Sequence, residues 1–256
     1  MGRHCARADA RWPRCAWARM LREFIVKDVL GATMDVYTRC RVVGRKHFDG
    51  LEAPVVFVAN HSSHMDTPTI LRALPRKWRR RTAVAAASDY FYRKRRIAYL
   101  VSLAFNTVPM RRNGGGLEPS VTSSLARLLH ERWNLLVFAE GTRSRDGRVG
   151  RLRSGAAVLA AEHGLVIVPI HVSGTHAAMP PGQRWMRRKR GGFIPRRHPI
   201  EVQFGEPIRP RDGERPAEVM ERVRLFFAAS GAVTTPDERL YAGNGRPATR
   251  EPAKTA

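Results

Sequence analysis

Short runs rich in Val, Ile, Leu and Ala recur along the chain, and segments with apolar residues at helical spacing lie between them. The runs that predict strands lie at 55–59, 82–88, 135–140, 165–174 and 200–208. The patterns that predict helices lie at 67–74, 117–133, 154–164 and 217–229. Because strands and helices alternate from residue 55 onward, the pattern predicts an α/β fold, a single domain with a mixed, largely parallel central sheet flanked by helices.

A further helical pattern, at residues 17–30, precedes these elements and predicts an N-terminal amphipathic segment. One face of it carries five apolar residues, Trp17, Met20, Leu21, Phe24 and Ile25. This face either packs against the core or lies at a membrane interface, with aromatic residues facing lipid and arginines facing headgroups. The pattern alone does not choose between the two interpretations.

These patterns divide the chain into three parts. Residues 1–40 form the N-terminal amphipathic helical segment, and residues 41–230 form the predicted domain. Residues 231–256 are rich in Gly, Pro, Thr and Ala, so we expect a disordered tail. The sequence shows no apolar stretch of about 20 residues and no signal-peptide core. We therefore expect any contact with a membrane to be peripheral.

The chain is strongly basic, with 46 Lys and Arg against 22 Asp and Glu and a formal net charge of +24. Such a surface attracts anions, including nucleic acid, acidic lipid headgroups, phosphorylated metabolites and acyl carriers. Basic clusters at 76–81, 93–96 and 184–190 are interleaved with Trp78 and Trp185. Basic and aromatic residues together suit a membrane interface and also single-stranded nucleic acid, so charge leaves both partners open.

The cysteines are few and unevenly placed. Cys5, Cys15 and Cys40 all lie in the first 40 residues, without C-x-x-C spacing. This pattern argues against a disulfide framework and fits a reduced compartment. The three thiols are also a poor set of metal ligands.

Residues 60–66, NHSSHMD, follow the first predicted strand, at the end where α/β folds build their sites. His61 is able to take a proton near neutral pH, and an aspartate bonded to its far nitrogen would fix its tautomer. Asp66 lies five positions later, so the two side chains meet only if a turn lies between them. Two alternatives stay open: Asp66 or Thr67 caps the next helix, or His64 acts as the base.

Three further stretches combine apolar residues with features of a ligand site. In VFAEGTRSRDG, Gly141 lets backbone N–H groups approach an anion, and Arg143 is able to grip a phosphate through two hydrogen bonds. In FNTVPMRRN, an uncharged run ends in Arg111 and Arg112. The last stretch, VIVPI, is a predicted strand with a central proline.

These four stretches, in this order, resemble the sequence blocks of the glycerolipid acyltransferase family, which includes bacterial 1-acyl-sn-glycerol-3-phosphate (lysophosphatidic acid) acyltransferases. The first block, N-H-x-S-x-x-D, is matched by Asn60, His61, Ser63 and Asp66. The third block, F-x-E-G-T-R-S, is matched by Phe138, Glu140, Gly141, Thr142, Arg143 and Ser144. The second block ends at Arg111, and the fourth contains Pro169.

The resemblance implies an O-acyltransferase that uses no cofactor and no metal ion. His61 would be the general base that takes the proton from an acceptor hydroxyl, and Asp66 would orient His61. The hydroxyl would attack the thioester of acyl-CoA or of an acyl carrier protein. The residues that would hold a phosphorylated acceptor are Arg111, Glu140, Gly141, Thr142 and Arg143. Arg112 is an alternative to Arg111, and Pro169 would shape the acyl or acceptor pocket.

The implied acceptor is a lysophospholipid, foremost 1-acyl-sn-glycerol 3-phosphate, which would give phosphatidic acid in phospholipid biosynthesis. Glycerol 3-phosphate or another lyso-lipid is the alternative acceptor. The implied partners are the acyl donor and an anionic membrane surface, at the cytoplasmic face of the cell membrane. A nucleic-acid-binding protein is the competing class, but it gives no reason for four blocks in this order, so no specific nucleic acid is expected.

Overall fold

A seven-stranded sheet forms the centre of the computed structural model, which describes residues 12–87, 95–110, 119–183, 185–189 and 196–234. The strands are β1 (Thr38–Val43), β2 (Val55–Ala59), β3 (Thr82–Ala87), β4 (Thr107–Met110), β5 (Asn134–Phe138), β6 (Val166–Ser173) and β7 (His198–Phe204). Their order across the sheet is β1-β7-β6-β2-β5-β3-β4. Among these strands, only the β6–β7 pair is antiparallel. The prediction of an α/β fold with a mixed, largely parallel sheet is confirmed.

The described helices cover both faces of this sheet. They are α1 (Ala16–Phe24), α2 (Leu30–Tyr37), α3 (Asp66–Ala73), α4 (Arg76–Arg79), α5 (Arg95–Phe105), α6 (Pro119–His130), α7 (Gly155–Glu162), α8 (Thr175–Ala178) and α9 (Pro216–Ala229). A π-helical segment, Ile25–Val29, joins α1 to α2, and 3-10 turns lie at Trp12–Arg14 and Arg45–Phe48.

The core lies in two layers, one on each face of the sheet. Because side chains alternate along a strand, Phe57 of β2 faces one layer and Val58 faces the other. The first layer includes Ile70 of α3, and the second includes Leu128 of α6 and Phe227 of α9. Every residue of β2 is buried, as expected for a strand with helices on both faces. The residues that follow β2 therefore start from a rigid base.

The sequence pattern does not predict the two edge strands of the sheet, β1 and β4, or helix α5. β1 pairs with β7 from Thr38 onward, and its side chains alternate between the buried Thr38 and the exposed Arg39 and Arg41. β4 is four residues long and contains Pro109. Edge strands are solvated on one side, so they tolerate charges and proline and resemble loops in sequence.

The N-terminal helical segment is longer than predicted, and its apolar face is turned outward. Helical structure runs from Ala16 to Tyr37 through the π-helical segment. Trp17, Met20 and Phe24 are 57%, 65% and 55% exposed, so the interpretation that this face packs against the core is wrong. No described helix combines the length and the apolar character that crossing a bilayer requires.

Residues up to Thr234 still take part in the folded domain. The N–H group of Val149 donates to the carbonyl of Val233 at 2.8 Å, and Ala232 packs against the second core layer. The predicted tail thus begins within paired backbone, and its remainder, 235–256, lies outside the described residues. The boundaries of the three predicted parts stay predictions.

Candidate active site

Three neighbouring parallel strands, β6, β2 and β5, end at the same edge of the sheet. The loop after β2 contains Asn60–Met65, the loop after β5 contains Glu140–Arg153, and α8 follows β6. The carboxyl ends of strands are where open α/β sheets bind their ligands. The structure therefore brings the first and third sequence blocks together at one edge, which we call the carboxyl edge.

Asn60 ties the loop after β2 to the neighbouring strand β6. Its side-chain Nδ2 donates to the carbonyl of Val172 at 2.9 Å, and its Oδ1 accepts the N–H of Val172 at 2.8 Å. The amide is buried with both partners in place, as buried polar groups require. The loop, and with it His61, therefore leaves the sheet in a fixed direction.

His61 and Asp66 meet, as the first block predicts. Nδ1 of His61 lies 2.9 Å from Oδ2 of Asp66. The same oxygen accepts the N–H groups of Ser62 at 2.6 Å and Ser63 at 2.8 Å, and Oδ1 accepts the hydroxyl of Thr175 at 2.5 Å. The Asp66 side chain is fully buried. These donors satisfy the buried carboxylate, which a charge in the interior needs.

The arrangement fixes the chemistry of the imidazole. Because Oδ2 of Asp66 is an acceptor, Nδ1 of His61 carries the proton that lies between them, and Nε2 is left as the basic nitrogen. The ring stacks on Phe138, with centroids 3.9 Å apart and planes 19° from parallel. The His61 side chain is partly exposed, in contrast to the fully buried side chain of Asp66.

The carboxylate of Asp66 does not cap α3. This helix begins at Asp66 itself, its N-cap position is Met65, and no side chain makes a capping hydrogen bond there. The carboxylate turns back to the loop that carries His61. The capping alternative is therefore wrong, for Asp66 and for Thr67, although the positive end of the helix still favours a carboxylate in its first turn.

Glu140 joins the two loops through backbone hydrogen bonds. Its Oε1 accepts the N–H of His61 at 2.9 Å, and its Oε2 accepts the N–H of Gly150 at 3.0 Å. Burial raises the pKa of this carboxyl, and the two N–H donors act in the opposite direction. Both oxygens thus hold backbone N–H groups, one from the loop of His61 and one from the loop after β5, and the acceptor-binding role of Glu140 stays a prediction.

The turn after Glu140 carries the other predicted acceptor-binding residues. Gly141 has φ +69°, a conformation that favours glycine, and a Cβ there would lie 2.8 Å from the Arg153 side chain. Thr142 is exposed on this turn. Nη1 of Arg143 is buried and has no hydrogen-bond partner among the described residues. A buried guanidinium donor without a partner is able to bind an anion.

Arg111 and Arg112 lie outside the described residues, so the choice between them stays a prediction. The strand that leads to them, β4, ends at Met110 and runs parallel to β3, which in turn is parallel to β5. β4 therefore ends at the same edge of the sheet as the strand that precedes His61, two strands beyond β5.

His64 lies in the same loop but is not bonded to Asp66, whose partner is His61. The His64 residue is exposed at the surface. Partial burial of its ring lowers the pKa of His64, and the positive charge of Arg143 lowers it further. Without a carboxylate to fix its tautomer, His64 is the weaker candidate for the base.

Thr175 is a site residue that the sequence patterns miss. It opens α8, directly after Gly174, whose φ is +83° and whose Cβ, if present, would lie 2.1 Å from the carbonyl oxygen of Pro199. Its hydroxyl donates to Asp66 and lies 3.2 Å from the hydroxyl of Ser62. A glycine and a hydroxyl residue directly after a buried strand were the available signal.

These side chains are not arranged as a metal site. Among the described residues, no group of three His, Cys, Asp or Glu side chains is placed to hold a metal ion. His61 and Asp66 bond to each other, and Glu140 bonds to backbone N–H groups. The absence of a metal or cofactor from the reaction stays a prediction.

Comparison with known proteins decides the family. Residues 39–173 match the family described as Acyltransferase. This chain belongs to the acyltransferase family. The matched part runs from β1 to the last residue of β6 and includes the loops that carry His61, Asp66 and Glu140.

Curated relatives carry names from glycerolipid synthesis. The chain is 29% identical over 169 residues to the chloroplastic 1-acyl-sn-glycerol-3-phosphate acyltransferase LPAT1 of Arabidopsis thaliana, covering 65% of this chain and 45% of that protein. It is 25% identical over 194 residues to the lyso-ornithine lipid O-acyltransferase of Pseudomonas aeruginosa, covering 70% and 66%. The chain thus spans about half the length of the plant relatives. The resemblance to 1-acyl-sn-glycerol-3-phosphate acyltransferases is confirmed.

A solved structure shares the fold. The crystal structure of the 1-acyl-sn-glycerophosphate acyltransferase PlsC from Thermotoga maritima matches with a TM-score of 0.56 and 23% sequence identity. The match covers 79% of this chain and 78% of that one. The acyltransferase family and the α/β architecture described above therefore agree.

Proposed function

We propose that this protein is an O-acyltransferase that moves a fatty acyl group from acyl-CoA or an acyl carrier protein to the free hydroxyl of a lysophospholipid. The observation that carries the proposal is the pair of His61 and Asp66, with Nδ1 of the imidazole 2.9 Å from a buried carboxylate. This pair stands at the carboxyl edge, in a chain that belongs to the acyltransferase family.

In this reaction, Nε2 of His61 takes the proton of the acceptor hydroxyl while the hydroxyl oxygen attacks the thioester carbon. A C–O bond forms, the C–S bond breaks, and the leaving sulfur takes the proton back from the imidazolium as a free thiol. Asp66 stabilises the imidazolium between the two proton transfers. General base catalysis of this kind contributes roughly 10²–10⁴-fold to the rate. Asn60 and Glu140 act by holding the loop of His61 in place.

The acceptor that we favour is 1-acyl-sn-glycerol 3-phosphate, which would give phosphatidic acid. Its phosphate needs cationic donors beside the base. Arg143 offers an unpartnered, buried Nη1 among the described residues, and the N–H of Ser144 donates to the carbonyl of His61 at 2.8 Å, which joins this turn to the base. Because the acceptor is a membrane lipid, we place the enzyme peripherally at the cytoplasmic face of the cell membrane.

A different lyso-lipid is the second candidate acceptor. The relative from Pseudomonas aeruginosa is named for lyso-ornithine lipid, and the match covers 66% of its length, against 45% for the Arabidopsis relative. The same His61 chemistry would serve either acceptor, because both reactions acylate a lyso-lipid hydroxyl.

The test supplies the purified protein with oleoyl-CoA and, in separate reactions, with 1-acyl-sn-glycerol 3-phosphate, glycerol 3-phosphate and lyso-ornithine lipid. Free thiol is followed, and the lipid product is identified by mass spectrometry. We expect thiol release that depends on 1-acyl-sn-glycerol 3-phosphate and a phosphatidic acid product. Thiol release that no acceptor stimulates would contradict the proposal.

Arg143→Gln tests the phosphate site separately. We expect KM for the phosphorylated acceptor to rise by about tenfold or more with a smaller change in kcat, because a charge-assisted hydrogen bond is lost. Arg145→Gln, which removes an exposed charge two residues away, is the matched control and should leave KM near the wild-type value.

A further inference from the structure

The chain that follows α9 turns back towards the loop after β5. α9 ends at Ala229, and Gly231, with φ +80°, reverses the chain in the left-handed conformation that commonly follows a helix. The N–H of Ala232 then donates to the carbonyl of Phe227 at 3.0 Å, and Ala232 packs against the second core layer. These contacts fix residues 232–234, which we call the C-terminal strap.

The C-terminal strap pairs with Val149, in the loop after β5. The N–H of Val149 donates to the carbonyl of Val233 at 2.8 Å, and Val149 and Thr234 form a parallel β-bridge. Val149 is 3% exposed, whereas Val233 is 61% exposed. The strap therefore holds the loop by a backbone hydrogen bond beside a buried side chain, while the Val233 side chain faces solvent.

The loop after β5 is long and has little regular structure of its own. β5 ends at Phe138, α7 begins at Gly155, and residues 145–148 between them are exposed. Connections longer than about 12–15 residues without secondary structure are uncommon in compact domains and are usually functional. Because ordering such a loop costs conformational entropy, the buried Val149 and its bond to the strap act as an anchor within it.

Two hydrogen bonds lead from this anchor to His61. Gly150 follows Val149, and its N–H donates to Oε2 of Glu140 at 3.0 Å. Oε1 of the same carboxylate accepts the N–H of His61 at 2.9 Å. Because successive N–H groups of an extended chain point in opposite directions, the strap and Glu140 hold Val149 and Gly150 from two sides. A Cβ at Gly150 would lie 3.3 Å from Oε2, so glycine allows the close approach.

We propose that the C-terminal strap is a positioning element of the active site, which keeps Gly150 against Glu140 and thereby holds the backbone of His61 in place. Hydrogen bonds weaken steeply as their geometry departs from linear, so a displaced strap would loosen both bonds of Glu140. The strap lies beyond residues 39–173, the part that matches the acyltransferase family. The inference rests on the proposed function, because it assigns a support to the base, but the support itself is measured without turnover.

The first test is native-state hydrogen exchange of the full chain without substrates. Ala232→Glu places a carboxylate where the strap packs on the core. We expect it to speed exchange of the amides of Gly150 and His61 by about tenfold or more, while the amide of Phe57, in the middle of β2, keeps wild-type protection. Leu225→Glu, at an exposed leucine of α9, is the matched control and should exchange as the wild type does.

The second test is thiol-release kinetics with the same variants. Ala232→Glu should lower kcat by about tenfold and leave KM for oleoyl-CoA near the wild-type value, because the base is misplaced while the donor contacts remain. Val149→Pro lacks the N–H that donates to the strap but keeps residues 232–234 unchanged, and it should show the same fall in kcat. Leu225→Glu should retain the wild-type kcat.

The outcomes separate a positioning role from a purely structural one. Wild-type exchange at His61 in Ala232→Glu, or a loss of protection that extends equally to Phe57, would overturn the proposal. Wild-type kcat in both Ala232→Glu and Val149→Pro would overturn it as well. A wild-type protein that releases no thiol with any acceptor would contradict the proposed function and leave the exchange result standing, so the two failures are distinguishable.

Discussion

At the scale of single residues, the site is organised around the carboxylate of Asp66. It accepts hydrogen bonds from the side chains of His61 and Thr175 and from the N–H groups of Ser62 and Ser63. These donors belong to the loop after β2 and to the start of α8. One buried carboxylate therefore fixes the His61 imidazole and joins two elements that are distant in sequence.

The variant Thr175→Val tests whether the Thr175 hydroxyl positions Asp66. Without the hydroxyl, Oδ1 of Asp66 loses its donor in a buried setting, which costs about 1–3 kcal/mol. We expect a loss of unfolding free energy of that size and a fall in kcat of about tenfold. Thr175→Ser keeps the hydroxyl and should retain both values. Denaturant unfolding and thiol-release kinetics measure them, and a Thr175→Val protein that equals the wild type would refute the role.

At the scale of elements, the sequence predicts the parts whose environment is uniform. β2, β5 and β6 are buried on both faces and read as continuous apolar runs. β1 and β4 are edge strands whose charges or proline hide them. The outward direction of α1 was one of two open interpretations, because amphipathic spacing shows that a helix has two faces but not which one meets the protein.

The candidate site likewise has contacts that the local sequence predicts and contacts that only the fold reveals. His61 and Asp66 share one loop, so their pairing was accessible from local sequence. The bond between Thr175 and Asp66 spans 109 positions, and it depends on β6 lying beside β2, which spacing along the chain does not reveal. Glu140 was predicted at the site, but its direction depends on the backbone of two loops.

Arg22 tests how α1 is attached to α5. Arg22→Ala leaves the carbonyls of Leu103 and Pro13 without their donor, and hydrogen bonds to charged groups contribute about 1.5–3 kcal/mol. We expect a loss of unfolding free energy in that range, measured by denaturant unfolding. The matched control is Arg41→Ala on β1, whose side chain is 77% exposed, and its effect should be within about 0.5 kcal/mol. Equal effects of the two variants would show that the hydrogen bonds of Arg22 do not hold α1 in place.

At the scale of the whole molecule, the part of the chain from residue 147 to residue 200 is strongly basic. From residue 147 to residue 200 the chain has a single acid, Glu162, and it ends α7 at the opposite edge of the sheet. Arg148, Arg187 and Arg188 are exposed in the same part of the chain. A field of one sign around a cleft raises the local concentration of anionic ligands. The total charge is visible in the sequence, but its distribution over the surface requires the fold.

Stability should fall on mild acidification. Burial lowers the pKa of His171, of His64 and of His198. Nearby positive charge lowers the pKa of His64 further. A histidine whose folded-state pKa lies below its unfolded value of about 6.5 contributes stability above that pH, which is lost as the pH falls through the folded-state pKa. The unfolding free energy should therefore be lower at pH 5 than at pH 7.5.

The variant His171→Gln isolates the buried contribution. His171 lies on β6 against Phe227 of α9. Its replacement should reduce the difference in unfolding free energy between pH 7.5 and pH 5 by an amount on the order of 1 kcal/mol, since one pKa unit corresponds to about 1.4 kcal/mol. His163→Gln, at an exposed histidine, serves as the control. If both variants keep the full wild-type pH dependence, burial of His171 is not its source.

The central claim is that Nε2 of His61 is the base of an acyl transfer to a lyso-lipid. The most direct measurement is kcat/KM for thiol release from oleoyl-CoA with 1-acyl-sn-glycerol 3-phosphate, for the wild type, His61→Ala and His64→Ala. His61→Ala should lose about 10²–10⁴-fold, and His64→Ala, in the same loop, should stay close to the wild type. Full activity of His61→Ala, or an equal loss in both variants, would contradict the account.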